Sequence, residues 1–169
     1  NIINESSNTI TIGASGDTVA IPSGATITGS GLGKILQVVS ATDSTQRTTT
    51  SSSFVTASNT LSVDITPSAT SSKIYIICNT SFGTNSANNQ AEVTLYRDST
   101  NLGTSTGMMS NIITSSTTIR TPGTMTILDS PSSTSELTYQ VYCKAAGGAT
   151  LTLNWNNTKS SITAFEIGA

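Results

Sequence analysis

Apolar residues alternate with Ser, Thr and Asn at a period of two along much of the chain. Between Ser135 and Asn156, Leu137, Tyr139, Val141 and Cys143 share one side, and Thr138, Gln140, Tyr142 and Lys144 the other. Leu151, Leu153 and Trp155 then alternate with Thr150, Thr152 and Asn154. Such a period means strands with one buried and one wet face. Gly147 and Gly148 can supply the positive φ angles of a tight turn, so the two runs are expected to pair as a hairpin at the centre of a β-sandwich.

From Lys34 onward the same pattern predicts strands over 34–40, 46–55, 60–66, 73–83, 90–97, 101–106, 119–129, 136–145, 149–156 and 161–167. Residues 107–118 fit either a long loop or an edge strand. Turns are read at 67–72, 98–101 and 129–134, from their Pro, Ser, Asp and Asn. No segment carries an amphipathic helical period. Short strands with turns every 8 to 12 residues or so predict an all-β, antiparallel jelly-roll-like sandwich. The expected core is Ile35, Val39, Leu61, Val63, Ile65, Ile74, Ile76, Cys78 and Phe82. It continues with Val93, Leu95, Leu137, Tyr139, Val141, Leu151, Leu153, Trp155, Ile162, Phe165 and Ile167. Ile74 to Ile77 is apolar on both sides, which calls for a second surface, here another subunit.

Residues 1–33 read differently. Ile10 and Ile12, Val19 and Ile21, and Ile27 form short apolar pulses separated by Gly, Asp and Pro. Each is too short for a stable sheet within one chain, so intertwining with sister chains is expected. The opening NIINESS reads as a cut from something longer. Gly29, Gly31 and Gly33 come near a phosphate-binding loop, but Thr28 and Ile35 stand where its Gly and Ser or Thr belong. A glycine hinge is the reading. The domains are therefore a shaft end at 1–33 and a sandwich head at 34–169.

Composition narrows the function. The 169 residues allow one main domain. Charged residues make up 9%, against about 25% in ordinary globular proteins. A net charge of -2 lacks the electrostatic footprint of a nucleic-acid binder. No apolar run nears the ~18 residues of a membrane span, so no membrane insertion is expected. The chain has no histidine, which removes the commonest general base and metal ligand together. Cys78 and Cys143 read as small core residues, with a disulfide between neighbouring strands as the alternative.

The segment TITIGASGDTVAIPSGATITGSG resembles the end of a bacteriophage tail-fibre shaft. GKILQVVSATDSTQRTTTSSSF, LSVDITPSATSSKIYI, VTLYRDSTNLG, LDSPSSTSELTYQVYCKA and ITAFEIGA resemble the C-terminal head of such fibres. The resemblance implies a homotrimer, a virion location at the fibre tip, and binding to a host cell-surface receptor. It carries over no individual residue.

No GxSxG, HExxH or CxxC motif occurs, and no cofactor, metal or catalytic residue is assigned. Asp43, Asp64, Glu92, Asp98, Asp129, Glu136 and Glu166 could supply a glycosidase pair, but no spacing singles one out. They read as turn and solubilising residues, so the chain is expected not to be an enzyme. A surface rich in neutral hydrogen-bonding groups suits sugars. Trp155 and Tyr142 could stack on them, although Trp155 shares its face with Leu151 and Leu153. Met108 and Met109 could line a subunit contact. If strands alternate strictly, the turns at 41–45, 67–72, 98–101, 130–134 and 157–160 share the far end. The expected receptor-facing residues are Asp43, Asp98, Asn101, Asp129, Asn156, Asn157 and Lys159. A virion decoration or trimerisation module without a ligand is the alternative, and a polysaccharide depolymerase the second.

Overall fold

The computed structural model describes residues 35–113 and 119–168; the predicted shaft and hinge lie outside them. The strands are β1 (Ile35–Asp43), β2 (Arg47–Thr49), β3 (Ser62–Ile65), β4 (Lys73–Thr84), β5 (Asn89–Arg97) and β6 (Thr100–Asn101). They continue with β7 (Met109–Ile113), β8 (Ile119–Asp129), β9 (Leu137–Ala145), β10 (Leu151–Leu153) and β11 (Ser160–Ile167). The ambiguous stretch 107–118 thus contains an edge strand, β7. The runs predicted at 46–55 and 101–106 shrink to β2 and β6. Ser, Thr and Gly there bond locally instead of extending the ladder, as where Thr104 closes a turn with Gly107.

All pairings are antiparallel and fall into two sheets. β4 is long enough to pair β11 over Lys73–Asn79 and β10 over Phe82–Thr84, while β8 covers its other edge. β1 lies outside β11, and β2 outside β10. Each of these successive pairs therefore acts as one kinked strand. In the second sheet β9 lies between β3 and β5, with β6 and β7 along the far edge of β5. In chain order the eight runs are β1–β2, β3, β4, β5, β6–β7, β8, β9 and β10–β11. The first sheet holds the first, eighth, third and sixth; the second holds the second, seventh, fourth and fifth. This alternation between layers is the wrapped order of a jelly roll.

The central hairpin predicted from Gly147 and Gly148 is not a hairpin. Both glycines have positive φ, 69° and 77°, but β9 and β10 belong to different sheets. The turn carries the chain across the sandwich, so both apolar faces meet from opposite layers. Period alone cannot distinguish a partner beside a strand from one facing it.

The core follows the alternation. Leu61, Ile74, Ile76, Cys78, Val93, Leu95, Tyr139, Val141, Leu151, Leu153 and Ile162 are fully buried. Val39 is partly buried against the core, and four expected members lie outside it. Ile35 is exposed, and Trp155 leaves the interior because the chain turns after Leu153. In β11 the inward residues are Ile162, Ala164 and Glu166, which puts Phe165 and Ile167 on the outer face. Glu166 can point inward because its carboxylate is fully hydrogen-bonded: to Ser68 N (2.7 Å), Ser68 Oγ (2.6 Å) and Gln37 Nε2 (2.7 Å). Met108 and Met109 are partly buried and pack against the core.

Cys78 and Cys143 are free and buried, one in each sheet. Burial pushes both thiols up to about 12. Native protein is therefore expected to be silent to a chromogenic thiol reagent, with both cysteines reacting after denaturation. Reaction of the native state at the unfolded rate would contradict this packing.

Candidate functional site

Register fixes the two ends of the sandwich. Ile35, Lys73, Asp129 and Ile167 lie at one end, where Ile65 pairs Leu137 and Arg97 pairs Tyr139. Asp43, Thr84, Ile119 and Ser160 lie toward the other, as does Ala91 opposite Ala145. The predicted turns therefore divide. Those at 67–72, 98–101 and 130–134 share the end that holds Ile35. Those at 41–45 and 157–160 lie away from it. The reason is parity: 41–45 and 157–160 are kinks within runs that keep their direction, not reversals.

Four of the seven expected receptor-facing residues make hydrogen bonds within the fold. Asp43 is buried and accepts from Thr45 N (2.8 Å), Thr60 N (3.0 Å) and Arg47 Nε (3.4 Å). Burial would raise its pKa, but the two amides and Arg47 outweigh burial and hold it below the ordinary carboxylate value. Asp98 sits at positive φ in the β5–β6 turn and accepts from Thr138 N (2.9 Å). Asn101 accepts from Thr94 Oγ1 (2.8 Å) and Gly103 N (2.9 Å). Asp129 accepts from Arg97 Nη1 and Tyr139 Oη.

Asn156, Asn157 and Lys159 do come together, on the exposed kink between β10 and β11. Asn154, Asn156 and Asn157 take φ of 53°, 54° and 58°. Asn tolerates this left-handed region better than other residues with a Cβ, so the run of asparagines forms the kink. Buried Asn154 anchors it, donating to Thr45 O (3.1 Å) and accepting from Ser160 Oγ (2.5 Å). Gln46 ties the neighbouring kink to it: Gln46 N donates to Asn157 Oδ1 (3.1 Å), and Gln46 Oε1 accepts from Asn156 N (3.1 Å).

This kink ejects Trp155, leaving it 47% exposed on the outer face of the first sheet. The Arg120 guanidinium lies over the indole, 4.4 Å from the ring centroid, a cation–π arrangement. Arg120 pairs with Gly83; a Cβ at Gly83 would run into the Ile119 carbonyl and crowd the Arg120 side chain. Arg120 Nη1 donates to Thr84 O (2.9 Å), while its buried Nε has no acceptor among the described residues. Burial lowers its pKa. Beside it opens a groove of about 320 Å³, lined by Asn79, Ser81, Pro122, Thr124, Thr158 and Lys159 among others. Pro122 follows Arg120 on the same face, about 7 Å along the strand. Ser81 and Thr158 share a hydrogen bond of 2.7 Å, as do Thr124 and Asn79. Among the described residues no carboxylate lies within ion-pair distance of Arg120 or Lys159, whereas Arg47, Arg97 and Lys144 are each paired.

Tyr142, the other stacking candidate, lies on the outer face of the second sheet. Its ring stacks on Tyr96 at 4.0 Å, with Phe54 edge-on to Tyr96 at 6.3 Å. Each stacked ring covers a face of the other, so this ladder ties β5 to β9. Sequence alternation assigned Trp155 to the core and missed Arg120. The readable signal for Trp155 was the asparagine on either side of it.

No protein-family model matches the chain, and no curated protein sequence matches it. Among solved structures it is similar to VP2 of infectious bursal disease virus in a subviral particle, at 15% identity and TM-score 0.37, covering 79% of this chain and 38% of that one. VP2 of the Gx strain gives 15% identity and TM-score 0.37 over 79% and 37%. The chain thus spans less than half the length of these proteins. The wrapped strand order stands without them.

Proposed function

We propose that the chain is the head of a virion attachment fibre, a homotrimer that binds a carboxylate-bearing glycan on the host cell surface. The observation that carries this reading is Trp155, half exposed, braced by Arg120 and set beside the Lys159 groove. An indole face stacks on the apolar face of a pyranose ring. Arg120 and Lys159, without carboxylate partners among the described residues, suit an acidic sugar, Arg through a planar fork and Lys as a point charge. Ser, Thr and Asn along the groove match sugar hydroxyls. The tail-fibre resemblance of the sequence supports the same reading, and jelly rolls are an architecture of viral and lectin domains. Asp43, Asp129 and Glu166 are engaged in structural hydrogen bonds, which favours binding over glycoside hydrolysis.

The test is retention of the full chain on an array of neutral and acidic oligosaccharides. Acidic glycans are expected to be retained, less so at raised salt. Trp155→Ala is expected to weaken binding by about 2 kcal/mol, roughly 30-fold. Retention of no glycan would leave a structural role without a ligand. Equal retention by Trp155→Ala would remove the site.

A further inference from the structure

The outer face of the first sheet changes character along its strands. Near the end that holds Ile35, one row of apolar side chains crosses the sheet. Val38 stands opposite Phe165, Phe165 opposite Tyr75, and Tyr75 opposite Leu128. Leu36 precedes Val38 on β1, at the irregularity between Ile35 and Gln37. Leu36, Val38 and Leu128 are 51%, 52% and 52% exposed. Moving away from that end, the next outward-facing row is Ser40, Thr163, Ile77 and Thr126, and the one beyond it is Thr42, Ser161, Asn79 and Thr124. The inner face of the same strands is already filled by Ile74, Ile76, Ile162 and Ala164. Inside its terminal, exposed Lys73, β4 is therefore apolar on both sides at this end and polar on its outer side at the other.

A contiguous patch of this kind marks an interaction surface. β1 is also an edge strand, and its exposed Leu36 and Val38 stand where such strands commonly carry charges that prevent pairing. Two observations identify the occupant. The first is where the rest of the chain attaches: the 34 preceding residues join at Ile35, beside the row. Their apolar pulses at 10–12, 19–21 and 27 are too short to pair stably alone and call for sister chains. Sister chains joined there bring identical ends of their heads together. The second is charge: the row itself contains no ionisable group but the Tyr75 phenol, so identical copies of it meet without like-charge repulsion.

We propose that Leu36, Val38, Tyr75, Leu128 and Phe165 form the face by which three copies of the head pack about a common axis. This rests on the fibre reading and names the surface that assembles it. The experiment measures mass by light scattering on a size-exclusion column, for the full chain and for the double variant Val38→Asp/Leu128→Asp. Both side chains are over half exposed, so the folded head tolerates the change, and circular dichroism checks this. The wild type is expected near three times 17.3 kDa and the variant near 17.3 kDa, with unchanged spectra. Ser40→Asp, on the polar part of the same face, is expected to stay trimeric. A variant that stays trimeric overturns the surface while leaving the fibre reading intact. A monomeric wild type overturns both. If the double variant fails to fold, Leu128→Lys alone carries the test, with the same outcomes.

Discussion

Asp129→Ala is expected to destabilise the head by about 3 kcal/mol, a fall in Tm of roughly 10 °C. Asp129 ends β8 in the first sheet, while Arg97 and Tyr139 lie on β5 and β9 in the second. Its two oxygens accept from Arg97 Nη1 at 2.9 and 2.7 Å, and one also accepts from Tyr139 Oη at 2.6 Å. The network is therefore a clamp across the sandwich. The carboxylate raises the pKa of Arg97 through its hydrogen bond, and burial together with Asp129 raises that of Tyr139. Removing it leaves a mostly buried guanidinium without its partner and a buried phenol without an acceptor. Breaking such a pair costs about 3–5 kcal/mol; Arg97 retains some solvent contact, so the lower figure applies. Tyr139→Phe removes only a donor and is expected to cost about 1 kcal/mol. The double variant should lose less than the sum, because both changes act on one network. Thermal melts of all three decide it. A near-wild-type Tm for Asp129→Ala would mean that the clamp contributes nothing.

The second large effect is on pH dependence. Glu166 is buried against the 66–68 segment that follows β3. Burial alone would raise its pKa, but hydrogen bonds from the Ser68 hydroxyl, Gln37 and the Ser68 amide outweigh it and lower the pKa to about 2. The folded value lies below the ordinary one, so protonation favours the unfolded chain. The stabilisation is complete above the ordinary carboxylate value of 4.5 and is lost as pH falls through about 2. The full difference corresponds to about 3 kcal/mol. Wild-type Tm should therefore fall between about pH 4.5 and pH 2, and Glu166→Gln should flatten that fall while lowering Tm at neutral pH. Equal slopes for the two proteins would place the acid sensitivity elsewhere.

What the sequence made legible follows from what alternation encodes. Burial of Val63, Ile65, Ile74, Ile76, Tyr139 and Val141 was readable, because each sits in a regular run whose inner face must be dry. The sheet to which a strand belongs was not. Nothing local in the residues around Gly147 and Gly148 separates a hairpin from a crossing between layers. Direction failed for a related reason: the kinks after Asp43 and Leu153 look like reversals in composition but preserve the course of the strand. Of the expected receptor-facing residues, the exposed asparagines and Lys159 gather on one kink. Asp43 and Asp129 read from composition as turn and surface residues because their partners Thr60, Arg97 and Tyr139 arrive from distant sequence. Arg120 was invisible as a site residue because its place beside Trp155 depends on the pairing of β8 with β4 and β10 with β4.

Trp155 is the only tryptophan in the chain, so its fluorescence reports on the proposed site without labelling. The most direct measurement is a titration of that emission with a polyuronate oligosaccharide, alongside its neutral counterpart of the same length and any acidic glycan retained on the array. A saturable change in emission with acidic glycan is expected, with protection from acrylamide quenching and loss of both in raised salt. Unchanged emission with every acidic glycan that the protein retains would place binding away from Trp155 and contradict the site.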